Sequence, residues 1–367
     1  MINKKNYSLL LGLLLIFVNP LQAEVLVIDK GDELVVQTEY GDYKVHEPVL
    51  VEIIRSSAFE RLKHIEQYGV TVYRDAACGN KGISFSRYDH SLGVFVLLRH
   101  FGACLDEQVA GLLHDASHTV FSHVGDVVFG TYFSESSFQD DKLEWYLDKV
   151  GIMDILKKHH IGGCCSAVQK KQQKMLEQDK PDLCVDRIEY LLRGALADQL
   201  LTEAEVRAIV NDLCFEYPEW SFEHVAQAQK LGMISLWFSE YVFGAASDGY
   251  TYQHAAVALK RAVELNLITT DDICFSQDEI IWNILCSSHD DIIEKALDKV
   301  MHYVRYYSLS DESDYDQHVK VKCFAVNPWV QTEQGLQRLT AIDAEYAAEY
   351  KRVEALARKG WYLKFTR

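Results

Sequence analysis

Basic residues, prolines and glycines are all scarce in this chain, and each scarcity excludes something. Lysine and arginine number 37 against 54 aspartates and glutamates, a formal net charge of −17. Such a surface repels an extended phosphate backbone, so stable nucleic-acid binding is not expected. A local basic pocket for a small phosphorylated ligand survives that argument. Five prolines and 20 glycines are too few for a disordered or loop-rich sandwich protein. There is no internal repeat, no low-complexity tract and no CxxC pair. The nine cysteines are odd in number, and Cys164-Cys165 are adjacent, a poor geometry for a mutual bridge. Cys104, Cys184, Cys214 and Cys286 sit among apolar residues and read as small core residues. No apolar run is long enough for a comfortable transmembrane span. The run over residues 9–18 follows Lys4 and Lys5 and precedes Pro20-Leu-Gln-Ala23, and reads as a secretory signal over residues 1–23. Cleavage before Glu24 would export the protein to a periplasm or the medium and leave no membrane span; an uncleaved anchor is the alternative. The cysteine usage looks more cytosolic than that leader does.

What is present is an ordinary globular composition, 49% hydrophobic and 25% charged, long enough for a sizeable core in one large domain or two. Residues 25–28, 33–38 and 43–45 are β-like and separated by Lys30-Gly-Asp32 and Tyr40-Gly-Asp42, so residues 24–48 read as an antiparallel meander. Pro48 opens a helical segment with Val49, Ile53, Ile54, Phe59, Leu62 and Ile65 roughly on one face, ended by Gly69. Ser86 is suited to cap a helix carrying His90, and a second helix over 106–113 leads into Gly111-Leu-Leu-His-Asp-Ala-Ser-His-Thr-Val-Phe-Ser-His123. Further helical patterns cover 138–150, 183–193, 203–213, 224–243, 255–267 and 278–285. An acidic connector, Ser310-Asp-Glu-Ser-Asp-Tyr-Asp316, precedes an alternating strand over 319–326, stopped by Asn327-Pro328, and an amphipathic helix over 343–359. The expected fold is mainly α: a helical core over 49–310, the small N-terminal β meander, and a short α+β C-terminal extension over 311–367.

The chemistry concentrates around His114-Asp115. Three histidines and an aspartate fall within ten residues, and on a helix His114 and His118 would share a face. His90 precedes them. Asp186 follows, set among Val185, Ile188, Leu191 and Leu192, where an acid needs a partner. Two imidazoles and two carboxylates can hold one divalent ion, balance its charge and leave positions for water and a phosphate oxygen. Mixed nitrogen and oxygen ligation suits manganese, iron, nickel or zinc better than calcium. Water on such an ion becomes a nucleophile near neutral pH. Each residue also has a plainer reading: His90 as an exposed first-turn residue, Asp115 as a solvated acid, Asp186 as an ion-pair partner of Arg187 or Arg193.

In order and spacing, His90, His114-Asp115 and Asp186 resemble the H…HD…D signature of the HD-domain metal-dependent phosphohydrolases, and more narrowly their deoxynucleoside triphosphate triphosphohydrolase branch. Phe59-Glu-Arg-Leu-Lys-His-Ile-Glu-Gln-Tyr-Gly69, Arg87-Tyr-Asp-His-Ser-Leu-Gly93, Phe121-Ser-His123 and Val185-Asp-Arg-Ile-Glu-Tyr-Leu-Leu-Arg193 extend the resemblance over roughly residues 40–200. It implies an HD-domain helical core with a central site for one divalent transition metal, ligated by His90, His114, Asp115 and Asp186, with magnesium able to join the substrate. It places Arg87 on a phosphate, His118 and His123 along the phosphate site, and Tyr190 near a sugar. Asp115 and His118 would carry the catalysis, His118 by proton transfer. The substrate would be a small phosphorylated molecule, a nucleotide, and homo-oligomers occur in the family.

Two departures bear on the substrate. Leu143 falls where the triphosphohydrolases carry a further histidine before a glutamate, and Arg193-Gly194 replaces the Arg-Asp whose acid reads the deoxyribose. Both weaken the expectation of dNTP hydrolysis more than that of metal binding. The alternatives are a nucleotide- or metal-binding module weakened in catalysis, and an HD-type phosphodiesterase.

Overall fold

A computed structural model of the protein describes residues 24–74, 84–132, 137–161 and 173–366; the expected leader over 1–23 and the Cys164-Cys165 pair lie outside these. The described chain opens on β1 (Leu26–Asp29), β2 (Leu34–Thr38) and β3 (Gly41–Val45), an antiparallel meander in sequence order. Leu34, Val36 and Val45 turn inward. The Val25 amide donates to Asp89 Oδ1 at 3.0 Å, and Arg99 donates to the Lys44 carbonyl, so the meander is stitched to the helix that carries His90.

The single helix expected from Pro48 to Gly69 is divided into α1 (Pro48–Ile54), α2 (Ser57–Glu60) and a 3₁₀ turn, Arg61–His64. The cause is local. Ser56 donates to the Ile53 carbonyl and accepts from the Phe59 amide, which ends one helix and starts the next. Gly69 has φ +54°, and a Cβ there would lie 2.5 Å from the Phe121 carbonyl oxygen, so only glycine fits.

The core helix α3 (Arg87–His100) starts under the expected Ser86 cap, completed as a capping box by Asp89, and is buried from Arg87 to Leu98. Then come α4 (Leu105–Leu113), α5 (Val124–Phe129), α6 (Phe138–Lys149), α7 (Ile152–Lys158), α8 (Val185–Ala197) and α9 (Glu203–Asp212). The region from 202 to 300, expected helical throughout, contains a hairpin: β4 (Leu213–Glu216) and β5 (Glu219–Phe222) precede α10 (Val225–Tyr241). Next, α11 (Ala246–Glu264) starts at Ala246 rather than at 255, and α12 (Thr270–Phe275), α13 (Asp278–Cys286) and α14 (Asp291–Met301) complete the helical body.

The tail holds β6 (Tyr307–Ser310), β7 (Gln317–Val319), β8 (Trp329–Thr332), β9 (Gly335–Arg338), α15 (Leu339–Ile342), α16 (Ala344–Lys359) and β10 (Trp361–Phe365). These strands form two small sheets, β6-β10-β7 and β4-β5-β8-β9, the second joined by a parallel β5–β8 pair. The strand expected over 319–326 pairs only at its start. Beyond Val319, the amides of Phe324 and Val326 donate to the Ser239 and Ser235 hydroxyls of α10, so this stretch satisfies its backbone on a helix instead of a neighbouring strand.

The fold is mainly α, as expected, with one apolar cluster running from Val25 in the meander to Val353 in α16. Among the described residues six cysteines are free thiols; Cys184 is buried, whereas Cys104 is exposed and not the core residue expected. No described helix is long and apolar enough to cross a membrane.

Candidate metal centre

Three elements deliver the centre. His90 lies in the first turn of α3, His114-Asp115 just past the end of α4, and Asp186 in the first turn of α8. The expected shared helical face of His114 and His118 does not exist. The helix stops at Leu113, and the Ala116 and His118 amides bond back three residues, to Leu113 and Asp115, in tight turns. The same loop holds Phe121 and Ser122 with φ of 58° and 54°, two consecutive non-glycine residues in the left-handed region, a costly conformation that surrounding contacts must impose. Asp278 imposes it, accepting the Phe121 amide at 2.7 Å and the Glu66 amide at 2.9 Å from the far end of the sequence.

Hydrogen bonds behind the two imidazoles decide which nitrogen faces the centre. His114 Nδ1 lies 2.7 Å from the Gly111 carbonyl, which can only accept, and His90 Nδ1 lies 2.5 Å from Glu189 Oε2. Each Nδ1 is therefore held to its proton, which leaves each Nε2 as the nitrogen that can offer a lone pair to a cation. The two Nε2 atoms are 3.2 Å apart; Asp186 Oδ1 lies 3.0 and 3.5 Å from them, and the Asp115 oxygens 3.7 and 3.5 Å. His90, His114 and Asp115 bring their donor atoms together as one group, and Asp186 Oδ1 stands beside both imidazoles. Such a cluster is stable only around a positive charge. His90, His114 and Asp115 are each almost fully buried, while Asp186 is a quarter exposed and opens the centre to solvent. Burial alone would depress the His90 pKa, but the Glu189 and Asp186 carboxylates hold it up at about 9, the protonic form of the same demand for a cation.

The remaining expected residues surround this cluster unevenly. Arg87 is buried, its Nη1 2.5 Å from Asp115 Oδ2 and its Nε 2.8 Å from Ser122 Oγ, so it braces Asp115. His118 Nε2 lies 3.3 Å from Asp115 Oδ1, and burial together with the Arg87 charge pushes its pKa down to about 3. His123 is 42% exposed, its ring 5.0 Å from that of His118 and its Nδ1 2.9 Å from Asp126 Oδ2. Tyr190 stands off, its ring 6.5 Å from His90 and edge-on to Phe243. Leu143 is buried in the core. The α6 residues that line the small pocket with His118, Ser122, His123 and Asp126 are Phe138 and Gln139. A wider groove between the meander, α1 and α7, lined by His46, Glu52 and Arg55, has no such converging ligand set. Sequence reasoning missed Glu189, Ser122, Asp126 and Asp278. Glu189 alone carried a signal, as an acid in the apolar face of the Asp186 helix.

The HD-domain family model matches residues 87–194, a span that opens on Arg87 and closes on Gly194 and contains all four candidate ligands. The stretch from Arg87 to Gly194 is thus an HD-domain match, the segment that carries the candidate centre. The chain is 39% identical over 176 residues to the metal-dependent phosphohydrolase cns2 of Cordyceps militaris, spanning 47% of this chain and 48% of that protein. It is 28% identical over 327 residues to the uncharacterized protein YdhJ of Bacillus subtilis, 89% of this chain and 97% of that one. It is 35% identical over 102 residues to human deoxynucleoside triphosphate triphosphohydrolase SAMHD1, a stretch covering 24% of this chain and 15% of that one. These matches support a hydrolase, and the HD domain implies a divalent metal, for which His90, His114 and Asp115 form a fitting donor group.

Proposed function

We propose that the chain hydrolyses a nucleotide, a deoxynucleoside triphosphate among the candidates, at a mononuclear centre formed by His90, His114, Asp115 and Asp186. The observation that carries this reading is the grouping of His90, His114 and Asp115, with Asp186 Oδ1 beside both imidazoles, next to a buried arginine and two further histidines. These donors suit manganese, iron, nickel or zinc, with magnesium entering on the substrate. When bound, the metal would supply Lewis acidity and a nucleophilic water near neutral pH.

The chain's own residues do the rest. Asp186, the most open of the four, marks the side from which substrate enters. Arg87 holds Asp115 in place and offers guanidinium charge to a phosphate beside it. His118, neutral and bonded to Asp115, stands where a phosphate's negative charge would raise its basicity and let it pass a proton to the leaving oxygen. His123, held by Asp126, extends the phosphate site toward solvent. Tyr190, with Phe243 against it, offers an aromatic wall for a sugar or base.

A second reading, binding without efficient turnover, is favoured by Phe138 and Gln139. At the point where α6 meets His118 and His123, neither can carry a proton at neutral pH. The deciding experiment is metal analysis of purified protein with a phosphate-release screen over nucleoside mono-, di- and triphosphates, repeated on His114→Ala and Asp115→Ala. Hydrolysis with one metal per chain, lost in both variants, supports the enzyme. Thermal stabilisation by nucleotides without phosphate release supports the binding module, and full activity in either variant removes the proposed centre. Export through residues 1–23 is a separate proposal, checked by sequencing the mature N-terminus for Glu24.

A further inference from the structure

One buried carboxylate touches the metal centre from behind and has no part in the reaction just described. Glu189 is fully buried on α8, three residues after Asp186. Its Oε2 lies 2.5 Å from His90 Nδ1, and its Oε1 accepts from Arg193 Nε at 2.5 Å and from the Tyr40 hydroxyl at 3.3 Å. Arg193 Nη2 in turn sits 3.1 Å from Glu39 Oε1. Glu39 and Tyr40 belong to the turn between β2 and β3, so the far end of this chain of contacts lies in the N-terminal meander. The helix that carries His90 is shaped to admit it. A Cβ on Gly93, one turn after His90, would overlap the Glu189 carboxylate and approach Arg193 Nη2 to 2.8 Å.

A buried ion cluster is a poor way to fasten a sheet to a helix, because desolvation of its charges offsets much of their attraction and apolar residues would serve as well. What apolar residues would not do is accept a hydrogen bond from an imidazole. We propose that Glu189 is the positioning residue for His90, and that Tyr40, Arg193 and Glu39 hold Glu189 in register, which makes the meander part of the support of the metal centre. Glu189 fixes the proton on Nδ1 and aims Nε2 at the point shared with His114 and Asp186. The inference rests on the metal-centre reading above.

The test uses the full chain, stripped of metal and titrated with Co²⁺ against a competing chelator, with the visible spectrum of the Co²⁺ form and the unfolding midpoint of the metal-free protein recorded alongside. Glu189→Gln and Gly93→Ala are expected to weaken Co²⁺ binding roughly 10- to 100-fold and to alter the spectrum. Tyr40→Phe removes one hydroxyl remote from every ligand and is expected to weaken binding roughly two- to tenfold, the worth of one hydrogen bond, in a variant that still folds without metal. Should Glu189→Gln or Gly93→Ala fail to fold, Tyr40→Phe decides alone. Wild-type affinity and spectrum in the folded variants, while His114→Ala loses binding, would overturn the positioning role and leave the metal centre standing. Failure of the wild type itself to bind Co²⁺ would remove the centre and this inference together.

Discussion

The two halves of the site are held in opposite ways. On the metal side, His90 and His114 are almost fully buried and each is pinned by a short bond from Nδ1, to Glu189 or to the Gly111 carbonyl. On the phosphate side, His123 is 42% exposed, and Gln139 meets the pocket with its carbonyl accepting from the Ser117 hydroxyl at 2.8 Å. The first arrangement is over-determined and tolerates one geometry; the second is partly open to solvent at His123. Under the proposed function, the cation would be fixed by the rigid half and substrate choice left to the other.

Asp115 stands on the border of the two halves, and its removal is the harshest test of their separation. In Asp115→Ala, metal content and phosphate release are both expected to fall to background. Without Asp115 the Arg87 guanidinium keeps, among the described residues, the Ser122 hydroxyl, and leaving a buried charge partly unpaired is expected to cost the metal-free protein roughly 3–5 kcal/mol, read by urea unfolding. Should metal binding and stability both survive, the border does not exist. His118→Gln cuts on the phosphate side alone. Turnover is expected to drop roughly 10²- to 10⁴-fold with metal stoichiometry unchanged, as for a lost proton-transfer group; a parallel loss of metal would place His118 among the ligands instead.

The corner that joins the halves rests on Asp278. Burial raises its pKa to about 7, against the amide bonds from Glu66 and Phe121 that lower it. A carboxyl whose pKa is higher folded than unfolded binds more protons in the folded state between the two values. Its favourable contribution is therefore full below about pH 4, falls as pH rises toward 7, and changes no further above that. The difference from this group is of order 4 kcal/mol, and metal-free protein unfolded in urea at pH 5 and pH 8 is expected to be more stable at pH 5 by more than Asp278→Asn is. An equal pH slope in the variant would assign the effect elsewhere. Gly69→Ala strikes the same corner from the other side, since it combines a left-handed backbone with a contact at 2.5 Å to the Phe121 carbonyl. A loss of roughly 2–4 kcal/mol is expected from the two effects together, with turnover falling before metal binding does.

How much of this was legible depended on distance along the chain. His90, His114, Asp115 and Asp186 could be found because each is an unusual residue in a readable local pattern, and the Ser86 cap and the meander were local as well. The path from His114 to His123 was not, because its turns are imposed by Asp278, more than 150 residues away, against the helical preference of the sequence itself. The segment over 320–326 failed for the same reason: its alternation is real, but its partners are two serines of α10. The β4–β5 hairpin was a missed signal, since Pro218 breaks the helical pattern between residues that alternate. Glu189 lay in plain view among apolar neighbours and needed only the question already asked of Asp186.

The smallest effect expected separates the halves most finely. His123 is part-exposed and hydrogen-bonded to Asp126, and Asp126 keeps the Phe138 amide and the Thr131 hydroxyl without it. His123→Gln should therefore leave stability within about 0.5 kcal/mol of wild type, as surface substitutions do. If the imidazole gives the substrate one hydrogen bond, worth about 0.5–1.5 kcal/mol, KM rises roughly two- to tenfold while kcat and metal content hold. A matching fall in kcat instead would mean that His123 acts in the transition state with His118, whose ring it meets edge-on at 5.0 Å. The phosphate side would then be as tightly built as the metal side, with the pair of rings as its fixed element.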